Sequence, residues 1–309
     1  MKLFAPKYYK DFSCIAEKCS HNCCIGWEID IDSNTMERYS SLCKEKSYAL
    51  ELIKSIDTED GTPHFILGDR ERCPHLDSRG LCSIITELGE DLLCEICREH
   101  PRFYNDTYIG KEVGLGMACE EACRIILDSS EYNSFVEIDE LCGKPLPCDF
   151  DTLEKRTRLY DILGNDMLLH TEKLNIIYRE FGISPQALSD NEWRDMLFSL
   201  EYLEDSHKKL FSSYSSDIST PRELEKTAER ALAYYIFRHC TEALDENEYR
   251  ASLGFCLFCE RLLVSVLKAE GISEKDKAVT IARIISEELE YSEENTETIK
   301  NEIYFSVDL

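Results

Sequence analysis

What this chain has least of is positive charge: 35 Lys and Arg stand against 61 Asp and Glu, for a formal net charge of −26. A surface that acidic repels a phosphate backbone, so nucleic acid is not an expected partner. A basic protein or a cationic small molecule is compatible with it, although acidic side chains also serve simply to solvate helices. Long apolar runs are missing as well. The most apolar segment, LGFCLFCERLLVSVLK, is broken by Glu260 and Arg261, and no membrane span is expected. The opening MKLFAPKYYKDFSC has no uninterrupted apolar stretch and no evident cleavage site, which predicts a cytoplasmic protein without a signal peptide. GxSxG, HExxH and P-loop motifs are absent, and Gly114-Leu115-Gly116 is too short for a phosphate-binding loop.

Cysteine, by contrast, is abundant: there are sixteen, thirteen of them within residues 1–148. With 309 residues and 43% hydrophobic content the chain can build an ordinary core, so a dense disulfide framework has no physical motive. In a reducing compartment such a count points to metal or redox chemistry. The segment FSCIAEKCSHNCCIGW places Cys14, Cys19, Cys23 and Cys24 within eleven residues, as C-x4-C-x3-C-C. A second concentration follows in CPHLDSRGLC (Cys73, Cys82), CEICREHPR (Cys94, Cys97) and CEEAC (Cys119, Cys123). Four thiolates suit either tetrahedral zinc or an iron–sulfur cluster.

Spacing narrows the choice only partly. Adjacent Cys23 and Cys24 point in different directions, so one mononuclear ion does not readily take both. Within residues 1–148, only Cys94 and Cys97 have the C-x2-C spacing of a zinc knuckle. The C-x3-C-x2-C of radical enzymes is absent, because Gly26 and Ile126 stand where the third cysteine belongs. The turn Arg79-Gly80-Leu81 presents Cys82, and Arg98 and Arg102 flank His100-Pro101 beside Cys97. Their guanidinium groups can stabilise a thiolate or bind a carboxylate. His21, His64, His75 and His100 are further candidate ligands. A lone cysteine is most simply a small buried hydrophobe. That reading fits Cys256 and Cys259, three apart on an apolar helix face, and His239 beside Cys240.

The expected fold is mainly α: a Cys-rich α+β metal-binding domain over residues 1–150 and an all-α domain over 151–309. Trp27–Asp32 alternates like a strand, Tyr108–Val113 suggests a hairpin, and short helices are predicted at 34–56, 87–98 and 119–130. Asp151 and Glu154 form a capping box ahead of Leu153, Tyr160, Leu163 and Met167 at helical spacing. Thr220-Pro221 opens a second helix carrying Leu224, Ala228, Leu232, Tyr235 and Ile236. A third is predicted over 247–270, ending at Gly271, and Ser273 caps a fourth.

Taken in order, FSC…C…CC.GW.I.ID, CPHLDSRGLCSI, CREHPR and MACEEACRIIL resemble the flagellin lysine-N-methylase family over about residues 4–128. The family shares its cysteine pattern with a broader group of zinc- or iron-chelating domains. The resemblance implies transfer of methyl groups from S-adenosylmethionine to lysines of flagellin or a similar protein, and association with an iron–sulfur cluster, [4Fe–4S] in the simplest case, with zinc the alternative. Carried over position by position, it makes Cys14, Cys19, Cys23, Cys24, Cys73, Cys82, Cys97 and Cys119 metal ligands, and Arg98 and Arg102 cofactor-binding residues. Two departures stand out: Glu120 replaces the family's proline after Cys119, and Cys94 and Cys123 are additions. A second reading is a non-enzymatic zinc- or iron-binding protein. A lysine amine with pKa near 10.4 is neutral in only about one molecule in a few thousand at pH 7, so a methylase must desolvate it or supply a base. No base is singled out by the residues; Glu28, Asp30, Asp32 and Tyr104 lie near the motifs.

Overall fold

Two separate hydrophobic cores dominate the computed structural model, and they share no residue. Residues 1–42, 47–58, 61–147, 150–184 and 188–306 are described; Cys43 and Cys148 lie outside them. The cores belong to two compact units, Ser13–Pro101 and Met1–Phe12 together with Arg102–Leu309. The compositional border near residue 150 therefore falls inside the larger unit. Strand pairing is the reason. The described strands are β1 (Lys2–Pro6), β2 (Ile56–Asp57), β3 (His64–Phe65), β4 (Arg102–Thr107), β5 (Gly110–Leu115) and β6 (Phe135–Glu140). In the larger unit they form a sheet of order β4-β5-β1-β6, with β1 parallel to β5 and antiparallel to β6.

The smaller unit is built from short pieces: α1 (Ser33–Leu42), α2 (Ser47–Lys54), α3 (Ser83–Leu88) and α4 (Glu95–Glu99), with β2 and β3 paired. The helix predicted over 34–56 appears as α1 and α2, with 43–46 outside the described residues. The one predicted over 87–98 is broken. Gly89, at φ +100°, ends α3 and starts a 3-10 turn over Glu90–Leu92 before α4. Trp27–Asp32 is extended but not a strand. Its pairing is confined to Pro63–Phe65, through Phe65 N–H to Ile29 O, Ile31 N–H to Pro63 O and an Asp30–His64 bridge. Its alternation still holds, since Ile29 and Ile31 are buried.

In the larger unit the hairpin expected near Tyr108–Val113 is β4–β5, longer than predicted. A Cβ on Gly110 would sit 2.3 Å from the Lys2 carbonyl oxygen, so only glycine lets β1 approach there. Helices α5 (Glu120–Asp128), α6 (Thr152–Leu163), α7 (His170–Glu180), α8 (Asp190–Ser199), α9 (Ser206–Phe211), α10 (Glu225–His239), α11 (Glu246–Ala269), α12 (Lys275–Ile285) and α13 (Glu293–Ser306) complete it. The Asp151 cap of α6 is present, its carboxylate accepting Glu154 N–H at 2.9 Å. Met167 lies beyond α6 and is exposed, so it does not extend that helix's apolar face.

The apolar segment broken by Glu260 and Arg261 is α11, buried from Ala251 to Leu267. Among the described residues no helix is long and apolar enough to cross a membrane. Glu260 accepts from Arg261 Nε and lies 2.9 Å from His170 Nε2. Burial opposes its ionisation, but Arg261 and His170 outweigh that and hold its pKa at about 2. Nearer the sheet, Arg156 of α6 donates two hydrogen bonds, of 2.7 and 2.5 Å, to Glu112 of β5, and both side chains are almost wholly buried.

Arg156→Ala leaves the Glu112 carboxylate buried without a counter-ion, and chemical denaturation should show a loss of about 3–5 kcal/mol. Because Glu260 is depressed, its contribution is complete above its ordinary pKa and is lost as pH falls through about 2. Glu260→Gln should therefore flatten the acid limb of a stability-against-pH curve between pH 4.5 and 2 while lowering stability at neutral pH.

Candidate metal centre

The smaller unit gathers thiols by backbone pairing. Cys73 N–H donates to Cys24 O at 2.9 Å, and Gly26 N–H to Glu71 O at 3.1 Å, which aligns the CC segment with the start of CPHLDSRGLC. That second segment folds back on itself. Asp77 accepts Arg79 and Leu81 N–H, Arg72 donates to the carbonyls of Leu76 and Asp77, and Leu76 bridges Cys82. The turn thus returns Cys82 toward Cys73, at the N-terminal flank of α3. Asn22 ties the first loop to this turn: its amide donates to Gly80 O and its carbonyl oxygen accepts Cys24 N–H.

Cys94 flanks the start of α4 and Cys97 lies one turn on. Asp32 sets this helix. One oxygen accepts Thr35 N–H at 2.9 Å, and the other accepts the Thr35 hydroxyl and the Glu95 N–H of α4. Partial burial raises the Asp32 pKa, but those amide donors outweigh it and hold the carboxyl below its usual range. Both oxygens are occupied, so Asp32 is an anchor rather than a free base.

Cys23, Cys24, Cys73, Cys82, Cys94 and Cys97 lie near enough to shift one another's ionisation. The Cys24 S–H donates to Cys23, bringing Cys23 down to about 7 and driving Cys24 up. Cys97 and Cys94 repeat the arrangement, with Cys94 lowered and Cys97 driven up. Burial pushes Cys73 up to about 11 and raises Cys82, and neighbouring thiolates add to both. In such a set each further ionisation is opposed by the charge already on its neighbours, and a cation among the sulfurs would relieve that cost. The donor chemistry fits a soft cation. Among the described residues, however, no three His, Cys, Asp or Glu side chains are arranged as a ready ion site.

The structure thus brings together five of the eight cysteines singled out in the sequence. Cys14 is exposed, and Cys19, half-buried, donates its S–H to His21 O. Cys119 belongs to the larger unit, at the N-terminal flank of α5. Arg98, in the smaller unit, lies 3.6 Å from Glu99, and Arg102 begins β4 in the larger one. There Arg102 Nε donates to the Tyr9 hydroxyl at 2.8 Å, and its guanidinium lies over the Tyr9 and Phe12 rings. Cys94, read from sequence as an addition, is a member of the group; its C-x2-C spacing to Cys97 was the available signal. His75 is not a ligand. Its two nitrogens hydrogen-bond the Tyr48 and Ser55 hydroxyls at 2.7 and 2.8 Å, and burial lowers its pKa to about 4. Cys123, Cys256 and Cys259 are fully buried core residues, as the sequence suggested for the last two.

No family model matches the chain, and no solved structure matches it. Among curated proteins it is similar to the flagellar biosynthetic protein FliU of Salmonella muenchen, 28% identical over 134 residues, covering 41% of this chain and 77% of that protein. It is likewise similar to the lysine-N-methylases of Salmonella choleraesuis and Salmonella typhimurium. These are 28% identical over 142 and 140 residues, 43% of this chain in both cases. The chain spans only about a third of those two methylases, 34% of each.

Asp32→Ala removes a helix cap and the anchor of α4 together. Thermal or denaturant unfolding of the variant should show a loss of about 1–2 kcal/mol; an unchanged midpoint would show that Asp32 does not hold the Cys94–Cys97 turn in place.

Proposed function

We propose that the chain is a protein-lysine N-methyltransferase whose smaller unit carries a metal centre. The observation that carries the enzymatic part is the similarity to two lysine-N-methylases and to a flagellar biosynthetic protein. The methyl donor is S-adenosylmethionine and the acceptor a lysine of flagellin or a similar protein. The donor's sulfonium makes the methyl group electrophilic, so the protein's task is to present a neutral amine in line with it. The charge balance of −26 favours a basic acceptor segment over a nucleic acid.

The metal part rests on the proximity of Cys23, Cys24, Cys73, Cys82, Cys94 and Cys97, thiols of the kind that ligate a [4Fe–4S] cluster, although no three of them stand as a ready ion site among the described residues. Ligation requires rotation of these thiols from their mutual hydrogen bonds. The same proximity supports a second reading, a non-enzymatic zinc- or iron-binding protein, and metal identity separates the two.

Protein purified without oxygen should be brown, with about four irons and matching sulfide per chain. Cys97→Ser should lower that content while Cys256→Ser leaves it unchanged. Metal analysis and an absorption spectrum check both; colourless protein with stoichiometric zinc would favour the chelating reading. Incubation with methyl-labelled S-adenosylmethionine and flagellin should place label on lysine, and its absence with metal-replete protein would sink the methylase reading.

A further inference from the structure

One histidine of the larger unit lines a cleft. His239 closes α10 at the base of a cleft of about 480 Å³ between the end of α10, the start of α11 and α13. Its side chain is only 10% exposed. Nε2 lies 2.7 Å from Glu290 Oε1. Glu290 belongs to the π-helical turn Ser286–Glu290, the kind of insertion that turns a side chain inward at functional sites. Burial raises the Glu290 pKa, but Arg238 and His239 outweigh it and keep the carboxyl ionised. The carboxylate therefore accepts the Nε2 proton, which fixes the tautomer and leaves the lone pair on Nδ1. Nδ1 has no hydrogen-bond partner among the described residues, and the ring lines the cleft. The ring is held edge-to-face against Phe255.

The cleft wall is acidic. Glu242, Glu248 and Glu297 line it against Lys300, and Tyr304 adds an aromatic face. The Arg238 guanidinium, also in the lining, is matched by Glu290 3.5 Å away and stacks over the Tyr291 and Phe103 rings. A neutral imidazole acceptor, carboxylates and an aromatic face form a receptor for a cation that is also a hydrogen-bond donor.

We propose that this cleft binds a primary alkylammonium group, a lysine side chain, with His239 Nδ1 accepting one N–H and Glu242, Glu248 and Glu297 balancing the charge. Its role as the acceptor site of methylation rests on the function proposed above; the binding does not. Burial holds the His239 imidazole neutral, with a pKa of about 4, so Nδ1 is an acceptor throughout the neutral range. The groups facing the ring are Glu290, Arg238 and Lys300.

The test titrates the full chain with Nα-acetyl-lysine amide, following the imidazole resonances by NMR, with the Nα,Nε-diacetyl compound as control. Saturable binding that shifts His239 is expected, with no binding of the control. His239→Ala should weaken binding at least tenfold and Glu297→Gln several-fold. Should His239→Ala fail to fold, the surface change Glu297→Gln and the acetylated control still decide. No saturable binding, equal binding of the control, or affinity unchanged in both variants would overturn the proposal. Binding without methyl transfer would count against the methylase reading alone.

Discussion

The larger unit depends on one constraint: helix α11 is buried on every face. Residues Ala251 to Leu267 contact protein all round, and α9, α10, α12 and α13 pack against the helix. An apolar helix can be enclosed at no electrostatic cost, but Glu260 and Arg261 cannot enter such a core alone. They are tolerated because they pair with each other and with His170 of α7. The same rule recurs wherever charge is buried in this unit. Arg156 meets Glu112, Lys173 meets Glu229, and Arg238 and His239 meet Glu290. Apart from the adjacent Glu260 and Arg261, each of these pairs joins two elements, so charge compensation and topology reinforce one another.

The smaller unit is organised by a different pressure. Among the described residues its core holds ten buried hydrophobic ones, two of them cysteines, with Cys24, Cys82 and Cys97 packed alongside. Little of it is regular structure, and its loops are held by side-chain caps from Asn22, Asp32 and Asp77. Crowded thiols resist ionisation because each new charge raises the cost of the next. Under the proposed metal reading, a soft cation would remove that cost and couple metal binding to the folding of this unit.

These two units place the proposed chemistry on separate bodies of the chain. The thiol group lies within Ser13–Pro101, and the His239 cleft lies within the larger unit. The similarity to lysine-N-methylases covers less than half of the chain, so the cleft is argued from its own residues alone.

Much of this was legible in the residues. The predominance of helix, the β4–β5 hairpin, the Asp151 cap, the start of α10 near Pro221 and the span of α11 followed from periodicity and capping chemistry, which are local. The concentration of cysteine was legible too, and with it the class of ligand that thiols favour. What tertiary structure decided is which of them meet. Cys94 joins the group, His75 is spent on two hydroxyls, and Cys123 packs in a core, because these outcomes depend on turns and pairings between distant segments. The border between units also escaped composition, since β1 pairs with strands more than a hundred residues away. His239 and Glu290, fifty-one residues apart, carry no shared local pattern. Local physics specified the elements and their chemistry; only the packing of those elements determined the neighbours each side chain acquired.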